Sequence, residues 1–133
     1  MAFIEKAQHF LEDQGRLKNN KKCNLMVETV KFLLENAVGI DRAISTSKII
    51  SHLTSEGYKI KKEDWQINVL GPLRDNGIFI GSKRGGRNAG MYIIANKQDA
   101  LITHASIYDR VLIERQRLFK LEDLMDDLKW EYD

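Results

Sequence analysis

With 133 residues, 43% of them apolar, one proline and nine glycines, the chain can bury a single core and is too poor in Pro and Gly for long disordered stretches. Its single cysteine, Cys23, excludes an internal disulfide and a cysteine-built zinc site. The formal net charge is only +2, so charge alone names no partner.

Its distribution says more. Residues 1–39 carry 6 Lys/Arg against 5 Asp/Glu, residues 40–99 carry 10 against 6, and residues 100–133 carry 5 against 8. The cationic surplus lies in the middle and the acidic surplus at the end, which suits a DNA-binding core with a tail that faces elsewhere. Ordinary fluctuation over a mixed surface gives the same counts. No segment approaches the roughly 18 apolar residues of a membrane span. The N-terminus, MAFIEKAQHFLEDQG, has no signal-peptide apolar run. The expectation is a soluble, cytoplasmic, nucleoid-associated protein.

In chain order, Phe3, Ile4, Ala7, Phe10 and Leu11 share one face of a first helix over 3–14. Arg16 to Lys22 is polar and basic and reads as a linker. A second helix is expected from about Asn24, its N-cap, to Val38, with Gly39 as its stop. A short strand fits Asp41–Ile44. Ser45, Thr46 and Ser47 offer hydroxyl caps to a third helix that ends near Gly57. A fourth, over 62–75, places Trp65, Val69, Leu70 and Leu73 inward. Within it, Gly71-Pro72 predicts a kink or an early end. Gly77 is the stop.

Ile78-Phe79-Ile80 and Met91-Tyr92-Ile93-Ile94 read as strands joined by a loop, residues 81–90, with three cations and no acid. Asn96 or Asp99 then caps a long helix to about Leu128. Its residues Ile107, Val111, Leu118, Leu121, Met125 and Leu128 follow 4-3 spacing, interrupted by Glu114. That seam either joins two copies or packs on the chain's own first helix. The fold class expected is mainly α with a small antiparallel β-hairpin (α+β). Its segments are an N-terminal helix and linker (1–23), a central domain (24–96) and a C-terminal helix (97–133).

The order helix, short connection, helix, helix, strand, basic loop, strand resembles the winged-helix (winged helix-turn-helix) superfamily of DNA-binding domains, over about 70 of the 133 residues. In style it is similar to the winged-helix domains of prokaryotic and phage regulators and of restriction-type nucleases. Gly71-Pro72 inside the presumed recognition helix and the longish turn from Gly57 to Lys62 depart from that pattern. The resemblance implies double-stranded DNA as partner, with the helix from Lys61 to Asp75 in a major groove and the hairpin loop as the wing.

Amides and guanidinium groups suit base edges. Gln66, Asn68 and Arg74 are therefore the candidate readers, Asn68 first, with Lys61 and Lys62 for phosphate. Asp64 and Asp75 near the same face would repel phosphate. In the wing, Lys83, Arg84 and Arg87 supply charge, and Ser82 and Asn88 supply neutral donors; a solvated hairpin tip is the plainer account of the same residues. Ser45, Thr46, Ser47 and Lys48 at a helix N-terminus suit a phosphate, and plain capping explains them nearly as well.

The expected function is sequence-specific DNA binding by a dimeric transcriptional or phage/defence-type regulator. The alternatives are a protein-interaction adaptor working through the C-terminal helix, a DNA-binding specificity subunit of a nuclease, and a single-strand or RNA binder that stacks bases on Tyr92 and Phe79. The glycine-rich loop lacks phosphate-loop spacing. His9, His52 and His104 are scattered without ligand spacing, and Glu122, Asp123, Asp126 and Asp127 read as a solvated face. No enzyme, metal or cofactor is expected.

Overall fold

A computed structural model describes residues 3–14, 21–85 and 89–129, with the side chains of Gln14, Lys21 and Lys22 left aside. The architecture is mainly helical with one two-stranded antiparallel hairpin, the α+β class expected from the sequence. It divides into two compact units, residues 1–100 and residues 101–133.

In the first unit, α1 (Phe3–Gln14) packs Ala7 and Phe10 toward α2 (Lys21–Asn36). The second helix starts three residues before the expected cap, so Asn24 is an interior residue. Nothing in Lys21-Lys22-Cys23 breaks a helix, and lysine favours one. Leu25, Met26, Val30 and Leu33 are its buried stripe. After Asn36 the chain passes along strand β2 (Gly90–Ile93). The Gly39 N–H donates to the Ile93 carbonyl (2.8 Å), and Ile44 exchanges hydrogen bonds with Met91 (3.0 and 2.7 Å). The strand expected over 41–44 shrinks to that one bridge, because a 3-10 turn at Ile40–Arg42 occupies the connection.

Helix α3 (Thr46–Ser55) has Ser45 as its N-cap, the hydroxyl oxygen accepting from the Lys48 N–H at 3.2 Å. It buries Ile49 and Leu53. The following helix is composite: α4 (Lys62–Trp65), a π-turn at Gln66–Leu70, and α5 (Gly71–Asp75). At the predicted kink or stop the helix does not end at Gly71-Pro72; it passes through a widened turn. The Gly71 N–H returns to the Gln66 carbonyl, five residues back. Pro72 has no N–H for the Asn68 carbonyl, and in an α-turn its ring would press on that oxygen. Widening the turn by one residue accommodates both effects. The helix then closes at Gly77 (φ 83), with Ile78 N–H bonded to the Leu73 carbonyl.

Strand β1 (Ile80–Lys83) begins two residues later than the expected Ile78-Phe79-Ile80, because the Ile78 N–H still closes the helix on the Leu73 carbonyl, and it takes Gly81, Ser82 and Lys83 from the expected loop. It pairs with β2 in the register Ile80↔Ile93, Gly81↔Tyr92, Ser82↔Met91, Lys83↔Gly90. The Tyr92 ring lies over Gly81, where a Cβ would collide with it. Gly90 has φ 146, and a Cβ there would overlap the Ile44 carbonyl. Gly90→Ala is therefore expected to destabilise the fold by about 2–4 kcal/mol, combining backbone strain with a broken bridge. A urea midpoint unchanged from wild type would refute this placement of the two backbones.

Trp65, Leu33, Ile49, Leu53, Leu73 and Ile80 form the centre of the main core. Tyr92, Ile94 and Ala43 make a smaller cluster with Phe79, Ile40 and Ala100. Helix α6 (Lys97–Asp127) begins in this unit, and the Asn96 side chain accepts from the Asp99 N–H at 2.9 Å. The Asp99 carboxylate in turn accepts from the Ala95 N–H at 3.1 Å, a variant of the capping box.

The second unit carries the rest of α6, a helix about 46 Å long at 1.5 Å per residue. Along the expected seam Val111, Leu118, Leu121 and Leu128 are each more than half exposed, and Ile107 and Met125 are half-buried. Leu112, Ile113, Phe119 and Leu124 lie off that seam and are exposed as well. No helix among the described residues is long and apolar enough to cross a membrane.

Candidate nucleic-acid interface

The composite helix is anchored by its buried face. Trp65 is fully buried, and its indole N–H donates to the Thr29 hydroxyl on α2 at 3.2 Å. With Trp65, Val69, Leu70 and Leu73 inside, Lys61, Lys62, Gln66 and Asn68 are all exposed. Four of the five expected donors on this element are therefore open to solvent. So are the acids Asp64 and Asp75.

Arg74 does something else. Its Nε and Nη2 donate to the Ile80 carbonyl at 2.9 and 2.6 Å, which ties the end of the helix to the start of β1. That geometry makes Arg74 a clamp between helix and hairpin, a role its position in the sequence did not suggest.

Ile67 is an exposed residue of this helix that the search for polar groups does not identify. It is 70% exposed and stands between Gln66 and Asn68. A helical wheel anchored on Trp65 already turns position 67 outward. Its side chain neither donates nor accepts a hydrogen bond, so base-edge chemistry alone does not single it out.

In the hairpin Ser82 and Arg84 are exposed and Lys83 is partly covered, while Arg87 and Asn88 lie outside the described residues. At the start of α3, Ser47 and Lys48 are exposed. Ser45 and Thr46 are partly buried, with the Ser45 hydroxyl committed to its cap. Tyr92 is fully buried and Phe79 half-buried, so the pair offers no open sheet surface for base stacking.

A second constellation appears only in three dimensions. Glu28 on α2 and His52 and Glu56 at α3 bring their potential ligand atoms within 4.8 Å of one another. The His52 Nε2 and Glu28 Oε1 are 3.0 Å apart, and the imidazole stacks on Phe32 with ring centroids 4.0 Å apart. These contacts brace α3 against α2 and account for where His52 stands.

The chain is similar to the "Putative control protein C.MjaVP" of Methanocaldococcus jannaschii, being 29% identical over 117 residues, which covers 87% of this chain and 71% of that protein. No family model matches the chain. No solved structure matches it either. The matched length is greater than the 1–100 unit alone, so the likeness takes in part of α6 as well.

Proposed function

We propose that the chain is a sequence-specific DNA-binding regulator with a winged-helix core, acting as a dimer. The carrying observation is that Lys61, Lys62, Gln66 and Asn68 are all exposed at the start and along a composite helix that leads into a hairpin bearing Ser82, Lys83 and Arg84. The likeness to a protein named for a control role supports regulation as the purpose of that binding.

In this reading Lys61 and Lys62 hold phosphate and Asn68 and Gln66 face base edges in a major groove. The wing, with Arg87 and Asn88, follows the backbone or the neighbouring minor groove. Ser47 and Lys48 at the start of α3 add a phosphate contact. Arg74 positions the hairpin against the helix. The 1–23 and 97–133 segments flank a 24–96 DNA-binding domain, and Ile107, Val111, Leu118, Leu121, Met125 and Leu128 join two copies. A twofold pair of such domains matches a roughly palindromic site. The chain itself carries no catalytic step.

The test is binding of purified protein to random-sequence duplex DNA at low and moderate salt, followed by site selection. Micromolar affinity falling steeply with salt is expected. Arg84→Ala with Arg87→Ala is expected to weaken binding on all sequences and to flatten the salt slope by about 2, about one per lost phosphate contact. An unchanged slope in the double variant removes the wing from the interface. Absence of binding even at low salt favours an adaptor, for which the exposed apolar residues of α6 provide the surface.

A further inference from the structure

We infer that Ile67 reads the 5-methyl group of a thymine in the major groove, beside the base contacted by Asn68. The inference rests on the DNA-binding reading and deepens it. Among the described residues of the first unit, the large apolar side chains are buried or partly buried, with two exceptions. Phe3 is 37% exposed and Ile67 is 70% exposed. Phe3 opens a terminal helix, where exposure is unremarkable. Ile67 stands in the middle of an element whose other outward residues, Lys62, Glu63, Asp64, Gln66 and Asn68, are all polar.

A β-branched residue is also a poor choice for a solvated helix position, so local propensity does not explain it. The major groove has one apolar group to offer, the thymine methyl, and apolar side chains contact it there. Asn68 next to Ile67 adds the complementary preference, since an amide suits adenine. Together they specify an A·T-rich step under the middle of the helix. The π-turn Gln66–Leu70 includes both residues, so the two side chains are carried on one segment that Val69 and Leu70 anchor in the core.

The experiment uses the full chain and the duplex recovered by site selection. Each thymine in turn is replaced by deoxyuridine, which removes the methyl and leaves every hydrogen bond in place. At one position per half-site the affinity is expected to fall about fourfold, the effect of one buried methyl-sized group. Ile67→Ala should fold normally, because the residue is exposed, and should bind both duplexes with equal affinity. Replacing cytosines by 5-methylcytosine separates the two sources of a pyrimidine methyl, and no gain is expected on the selected site. A gain of affinity with 5-methylcytosine and no loss with deoxyuridine would overturn the thymine assignment. A thymine/deoxyuridine ratio that survives Ile67→Ala would overturn the role of Ile67 while leaving DNA binding intact. Failure to bind any duplex would overturn both readings together.

Discussion

Trp65→Ala is expected to lower the stability of the fold by about 3–5 kcal/mol, the range for removing a large aromatic side chain from a packed core. The indole is fully buried and its N–H is paired with Thr29, so the variant leaves a cavity and a buried hydroxyl that has lost its donor. Against a typical total of 5–15 kcal/mol, this is enough to unfold a sizeable fraction of molecules at growth temperature. Urea unfolding followed by circular dichroism measures it. Trp65→Phe keeps most of the volume and is expected to cost about 1–2 kcal/mol. Equal losses in the two variants would mean that the hydrogen bond, and not the packing, dominates. Because Trp65 is fully buried and lies outside the proposed interface, DNA affinity should fall in proportion to the unfolded fraction and no further.

Truncation after Asp109 is expected to convert a dimer into a monomer in sedimentation. On a duplex with two half-sites the truncated chain should lose the gain of bivalent binding, on the order of 10²- to 10⁴-fold, while keeping its affinity for a single half-site. The residues removed include the exposed Val111, Leu118, Leu121 and Leu128. A truncated chain that still sediments as a dimer places the interface elsewhere. A full-length chain that is monomeric at tens of micromolar dismisses the seam altogether.

The parts of this molecule legible in the sequence are those governed by local rules. Ser45 capping α3, Gly77 closing the composite helix and the basic hairpin between two short strands follow from side-chain chemistry within a few residues. The parts that were not legible depend on distant partners. Arg74 looked like a free guanidinium until the Ile80 carbonyl came within its reach. Asn24 looked like a cap because asparagine favours that position, yet the helix already begins at Lys21 and Asn24 is interior. Pro72 announced a disturbance, but whether a helix breaks, kinks or widens depends on the residues that must stay buried on either side. Here Val69, Leu70 and Leu73 must all remain in the core. The grouping of Glu28 with His52 and Glu56 spans two helices; His52 and Glu56 stand at i,i+4 spacing, but nothing in the sequence ties Glu28 to them.

The long exposed helix has a consequence for the life of the protein in a cell. A chain that displays Leu118, Phe119, Leu121, Leu124 and Leu128 to water presents the kind of apolar surface that chaperones hold and proteases remove. Copies whose helix is covered would escape that surveillance, and surplus copies would be cleared. If two copies do join through this helix, the lifetime of the protein would rise with its concentration, because assembly follows mass action. Pulse-chase turnover of the full chain against the chain ending at Asp109 is expected to show the longer half-life in the shorter chain whenever assembly is prevented.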